Sequence, residues 1–288
     1  MKKSEIIYLR DLLTFGCIIL LFGTGIFFLW AAVGNHPLKS IILPEISPEE
    51  ASEPLSAPSG HYILNDQDML LYRTYKDYNE DVVGYIRIKD TVLDHPMMQT
   101  PDDEEYYLYR DLNKNYNSHG VPFLSSDSQI EAEGTNMVVY GHNIHKLTSD
   151  VFCVIAEYED ITFYKNHPII ETISESGTRR WLIFCYFIVD NSDQNPFPYS
   201  DYTTFLAKQD FLDFMTNVRI RNWLNVDVSV DYGDSLITLS SCSRELSGEG
   251  TNRMVLMGKL LNNDEDYEEI IANAKMTASP LLPEKLRK

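Results

Sequence analysis

Basic residues are scarce in this chain: 24 Lys and Arg stand against 43 Asp and Glu, a formal charge of −19. A chain so acidic repels phosphate backbones, and no Lys/Arg cluster suggests a basic face against that average, so general nucleic-acid binding is disfavoured. Glycine (14) and proline (13) are too few and too scattered for a collagenous or low-complexity chain. No internal repeat is visible, and no second long apolar run follows the one near the amino end. Cysteine is also sparse, with four in 288 residues.

The one long apolar run is informative. Leu12 to Val33, LLTFGCIILLFGTGIFFLWAAV, holds no charge over 22 residues. At about 1.5 Å per residue such a helix spans a hydrocarbon core of about 30 Å, and it is longer than the apolar part of a cleaved leader. We expect a single transmembrane signal-anchor helix over 12–33. Lys2, Lys3 and Arg10 precede it, which places the tail 1–11 in the cytoplasm and all that follows outside the cell membrane. Residues 34–60 are rich in Pro, Ser and Glu and read as an extracellular stalk. The folded domain is expected over 61–263 and a tail over 264–288, which starts as an acidic possible helix and ends in KLRK. Without its ends the chain keeps roughly 210 residues, enough to bury a real core.

Within the domain, Met69, Leu70, Tyr72 and Tyr75 fall near helical spacing behind an Asn65 or Asp66 cap, predicting a short amino-terminal helix over 65–78. Runs rich in β-branched and aromatic residues then follow: 82–88, 94–99, 121–126, 135–142, 178–190, VDVSV at 226–230, 234–242 and 252–261. Eight strand-like runs with few helices predict a mostly β fold, a largely antiparallel sheet closed into a barrel that leaves no open edge. Two helical insertions are expected, one in LTSDVFCVIAEYED after His142 and a long one from about Tyr202 to Arg221. The second places Phe205, Leu206, Phe211, Leu212, Met215 and Val218 on one apolar side.

Cys17 lies in the expected membrane span, which leaves Cys153, Cys185 and Cys242 outside, an odd number that predicts a free thiol or a bond between chains. Cys185 in WLIFCYFIV and Cys153 on an apolar helix face read as inert packing residues. Cys242 ends the run SLITLSSC where the chain must leave the sheet. A reactive thiolate needs a base or positive charge nearby, and acyl transfer needs a donor for the developing oxyanion. His142 ends a strand-like run at YGHN, and Arg253 opens the next strand after Cys242, where a hairpin would bring it back beside the cysteine. Taken singly, Arg253 reads as a surface arginine and His142 as a loop histidine. Zinc held by His142, His145 and Cys242 is the weaker alternative, since this H-x-x-H lacks the helix-borne glutamate of a zinc protease and no Cys pair supports it.

With TLSSC from Thr238 to Cys242, YGHN around His142, Arg253 on the following strand and one amino-terminal anchor, the chain resembles a sortase over roughly Val82 to Leu261. The match includes a Leu147 to Phe152 helix after the histidine, and the long helix between strands makes it similar to class B members in particular. The resemblance implies an eight-stranded sortase-type β-barrel and a membrane-anchored cysteine transpeptidase of a Gram-positive surface. Cys242 would be the nucleophile that attacks the threonine carbonyl of a sorting signal in a secreted surface protein. An amine, typically from a peptidoglycan precursor, would resolve the thioester. His142 would be the general acid and base, and Arg253 would support the carbonyl and oxyanion. Ser240 and Tyr199, the latter in SDQNPFPYSDY, would contact the signal. No metal or other cofactor is implied. One departure stands out: many class B members carry an acidic residue two positions after the cysteine, where this chain has Arg244, with Glu245 next. A thiol hydrolase with the same site, a pilin-linking sortase and a tethered binding module with an incidental cysteine are the competing functions.

Overall fold

The computed structural model describes residues 60–143, 151–243 and 251–287. The expected membrane span and nearly all of the stalk lie outside them. Among the described residues no helix is long and apolar enough to cross a membrane.

Helix α1 (Asp66–Tyr78) begins where Asn65 caps it, its Oδ1 accepting the amides of Gln67 at 3.0 Å and Asp68 at 3.2 Å. Asp66 and Asp68 in the first turn and Lys76 in the last suit the helix dipole. Met69, Tyr72 and Tyr75 bury its inner side. Asp68 is buried as well, because Arg87 on β1 (Val82–Arg87) grips both its oxygens at 2.7 and 2.9 Å. The same guanidinium reaches Glu171 at 2.6 Å, so one arginine ties the helix to two strands.

The remaining barrel strands are β2 (Asp94–Met98), β3 (Phe123–Leu124), β4 (Asn136–Gly141), β5 (Ile169–Ser174), β6 (Gly177–Asp190), β8 (Leu236–Ser243) and β9 (Asn252–Leu260). They close in the order β1-β2-β3-β4-β8-β9-β6-β5, with β5 pairing back onto β1. Six of these neighbour pairs are antiparallel, while β2/β3 and β4/β8 are parallel. Seven of the eight expected runs are barrel strands, and two expectations need correction. VDVSV pairs with nothing in the barrel: Val226, Val228 and Val230 tuck against the core from a surface segment whose Val228 amide bonds back to Val226. A period of two records one buried side, which a segment can have without a ladder. The true eighth strand, β5, escaped notice because Glu171 interrupts its apolar run, and that carboxylate is paid for by Arg87 and by Lys89 at 2.9 Å. Leu224–Asn225 (β7) pairs instead with Lys275–Met276 (β10) outside the barrel.

Strand alternation divides the core in two. On β9, Met254 and Leu256 point into the barrel, whereas Val255 and Met257 face the long helix α3 (Lys208–Arg221). On β6 the register slips between Ile183 and Cys185, so Ile183, Tyr186 and Ile188 face the barrel while Cys185, Phe187 and Val189 face α3. Phe211, Phe214, Met215 and Val218 bury α3 on this outer layer, each contributing roughly 1.5–3 kcal/mol. Two expected members of that face are exposed: Leu206 precedes the helix and is 91% accessible, and Leu212 is 43% accessible. Phe214 takes the buried place. The insertion after His142 is a 3-10 helix, Val151–Glu159, followed by α2 (Ile161–Asn166). The expected Leu147 start lies outside the described residues.

Beyond β9 the chain stays on the barrel. Helix α4 (Glu268–Asn273) receives Lys165 Nζ on the Ala272 carbonyl at 2.7 Å, and the amides of Thr277 and Leu281 bond to Trp223 and Ile220, each at 2.8 Å.

Candidate active site

Two registers assemble the site. Parallel pairing of β4 with β8 runs from Asn136↔Leu236 to Gly141↔Ser241, so the next residues along the two chains are His142 and Cys242. Antiparallel pairing of β8 with β9 sets Cys242 directly across from Arg253, as the hairpin spacing predicted. Three residues far apart or turned back in sequence thus meet at one end of three adjacent strands. Side chains lock that arrangement: Ser241 Oγ donates to the Gly141 carbonyl at 3.0 Å, and Thr238 Oγ1 donates to Asn136 Oδ1 at 2.7 Å. Sites carried on paired strands hold their geometry better than sites on loops.

His142 is buried. Its carbonyl accepts the Phe152 amide at 3.0 Å and its ring lies 5.0 Å from that of Tyr109. Val151, just before that amide, has φ +56°, a left-handed conformation that is costly for a β-branched residue, roughly 1–3 kcal/mol. The Phe152 bond and the burial of both side chains hold it there. Gly141 completes the packing, since a Cβ at this position would sit 2.7 Å from the Phe152 ring. Gly141→Ala should therefore push Phe152 aside and cost about 1–3 kcal/mol. Thermal unfolding should show Tm falling by about 2–10 °C. An unchanged Tm would mean that Phe152 yields freely.

Beside these strands opens a groove of about 410 Å³, lined by Tyr140, Gly141, Ser240 and Arg253, by Pro196–Asp201 from the loop after β6, and by Glu104 and Glu105. The two residues expected to touch substrate meet here: Tyr199 Oη and Ser240 Oγ lie 2.6 Å apart and both residues are buried. Arg253 is half-buried, with Nη1 donating to the Asn252 carbonyl at 3.1 Å. Glu104 Oε2 accepts from Ser126 N at 2.6 Å and from the hydroxyls of Ser125 and Ser126 at 3.0 and 2.8 Å. Arg253 is the cationic side chain among the lining residues; Glu104, Glu105 and Asp201 supply negative charge.

Tyr140 and Glu104 were not singled out from sequence. Tyr140 was within reach, because it lies two residues before His142 on a strand and two-residue steps share a face. It stands opposite Ser240 in register. Burial raises its hydroxyl above the usual tyrosine range, Ser200 opposes, and the carboxylates of Glu104 and Asp201 add to the rise, so it stays a protonated donor at neutral pH. Glu104 gave no sequence signal, since the loop that carries it has no period.

Cys153 and Cys185 are buried, as their apolar surroundings predicted, and burial pushes the Cys185 thiol well up. Arg244, Glu245 and His145 lie outside the described residues. Among the described residues no three His, Cys, Asp or Glu side chains gather as metal ligands do.

Comparison with known proteins points one way. The chain is 30% identical over 189 residues to Sortase B of Listeria monocytogenes, covering 66% of this chain and 73% of that protein. It is 27% identical over 192 residues to Sortase B of Staphylococcus aureus, covering 66% and 74%. No family model matches. Among solved structures, the 2.0 Å crystal structure of S. aureus Sortase B superposes with TM-score 0.58 at 27% identity, covering 66% of this chain and 86% of that one. An S. aureus sortase B-substrate complex gives 0.59 at 25% identity, covering 68% and 92%. Sortase B from L. monocytogenes gives 0.54 at 28%, covering 65% and 98%.

Proposed function

The chain belongs to the sortase B family of cysteine transpeptidases, and from that premise we propose that it is a membrane-anchored enzyme which cleaves the sorting signal of secreted surface proteins after threonine and joins the new carboxyl to a cell-wall peptidoglycan amine. The observation that carries this reading is the register that sets Cys242 across from Arg253 and one step beyond the Gly141↔Ser241 pair, with His142 next in line and a peptide-sized groove alongside. That an S. aureus neighbour is a sortase B-substrate complex supports the reading that this site takes a substrate.

In this reading the Cys242 thiolate attacks the threonine carbonyl and forms the C–S bond. The developing oxyanion is held by the Arg253 guanidinium, whose fixed charge and planar donors suit a partly desolvated cleft. The peptide C–N bond breaks as His142 gives its proton to the leaving amine. The incoming amine passes a proton back to neutral His142, attacks the thioester carbonyl, and expels the thiolate. Ser240, Tyr199 and Tyr140 line the path of the signal. The apolar run at 12–33 would hold the domain at the outer face of the cell membrane with the amino end in the cytoplasm.

The test is mass spectrometry of residues 60–288 incubated with Pro-X-Thr peptides, with and without triglycine or a diaminopimelate-type amine. The expected result is an acyl adduct on Cys242 and, with amine, a joined product. Hydrolysed peptide alone, whatever amine is present, would replace the transferase by a hydrolase.

A further inference from the structure

The barrel and its site are complete at β9, yet the chain continues to wrap the back of the groove wall. Pro196 and Phe197 line two spaces at once, the groove on one side and on the other a separate cavity of about 180 Å³. That second cavity is closed from behind by Leu281, Leu282 and Pro283. Two polar anchors fasten this carboxy-terminal strap to the root of the wall. The Glu284 amide donates to both oxygens of Asp193, each at 3.2 Å. Lys285 Nζ lies 3.7 Å from Asp190 Oδ2, whose side chain is fully buried.

Asp190 is the last residue of β6 and pairs with Asn252, the neighbour of Arg253. Its Oδ1 also accepts the Ser192 amide at 2.9 Å and hydroxyl at 2.7 Å, which turns the chain from the strand into the wall. Ser192 satisfies Oδ1, while Oδ2 has the half-exposed Lys285 ammonium at 3.7 Å, too long for a hydrogen bond but close enough to offset its charge, so the lysine of the strap and the start of the wall share one carboxylate.

Resting on the transpeptidase reading above, we infer that Lys285 and the Glu284 amide are positioning elements for substrate: through Asp190 and Asp193 they brace the wall 195–201 against which the sorting signal lies. The reacting groups do not need them, because β4, β8 and β9 hold Cys242, Arg253 and the approach to His142 by their own register. Loss of the brace therefore weakens peptide binding more than chemistry.

The experiment uses the doubly substituted chain, Glu284→Pro with Lys285→Ala. Proline suits this position, since Pro283 before it already has φ −52° and ψ 152°, and the change deletes the donated amide at the first turn of a short helix. Amide exchange at 195–201 should quicken about tenfold while β8 and β9 amides are unchanged. KM for the peptide should rise about tenfold with kcat within about twofold. Lys285→Arg in place of the alanine should recover part of both. Unchanged exchange in the wall overturns the brace, and a looser wall with unchanged KM overturns its part in substrate binding. Faster exchange throughout β8 and β9, with a fall in kcat, would make the strap a general support instead. Exchange needs no turnover, so a chain that transfers nothing to any amine refutes the transpeptidase reading while the brace is still judged by its own readout.

Discussion

Cys242→Ala is expected to lower peptide turnover by roughly 10⁴-fold or more, the scale on which removing a nucleophile acts when no other group replaces it. The fold should survive. Strand β8 is paired on both sides, by β4 and β9, and its side-chain locks at Thr238 and Ser241 are untouched by the change. Tm should therefore move by no more than about 2–4 °C, the equivalent of about 1 kcal/mol in a domain of this size. Neither of the other cysteines in the described residues can substitute: Cys153 and Cys185 are buried, and burial keeps the Cys185 thiol protonated. Retained turnover in the alanine variant, measured with the same peptide and amine, would make the cysteine incidental and return the chain to a tethered binding module.

The site was legible where its information is local along the chain. TLSSC, YGHN and the short reach from Cys242 to Arg253 each sit within one strand end or one hairpin, and the register places them as that spacing implied. The parallel pairing of β4 with β8, which brings His142 to Cys242, was not legible, because residues about 100 apart meet through a crossover that no periodicity records. The same limit hid Tyr140 opposite Ser240. In the fold, a buried charge misled in one direction and buried valines in the other. Glu171 made a true barrel strand look interrupted although Arg87 and Lys89 neutralise it, and Val226, Val228 and Val230 made a surface segment look like a strand. The strap at 277–287 left no pattern either, since its apolar contacts, Leu281, Leu282, Pro283 and Leu286, follow no helical or strand period and backbone amides and one lysine complete the attachment.

The second large effect is expected at Arg253, and it separates charge from geometry. Arg253→Lys keeps the positive charge but replaces a planar fork of donors by one ammonium on a flexible stem. If the guanidinium meets the oxyanion, kcat should fall by about 10²–10³-fold, the loss typical of one well-placed oxyanion donor. In the proposed reading KM should change little, because ground-state contacts would come mainly from the groove wall and from Ser240, Tyr199 and Tyr140, which line the groove. The strand tolerates the exchange: position 253 is half-buried, pairs across to Cys242 and Val189 through its backbone, and spends one guanidinium hydrogen bond on the Asn252 carbonyl, which an ammonium can also reach. The stability change should stay within about 1 kcal/mol, the scale of one exchanged hydrogen bond on a half-buried side chain. The informative comparison is single-turnover acylation of Cys242 in the two proteins at saturating peptide, which reads the chemical step without the amine. Slow acylation in an intact fold assigns the donor geometry to Arg253. Equal acylation removes the oxyanion role and leaves Arg253 as the positive charge that keeps the neighbouring thiol ionised, a task lysine performs as well.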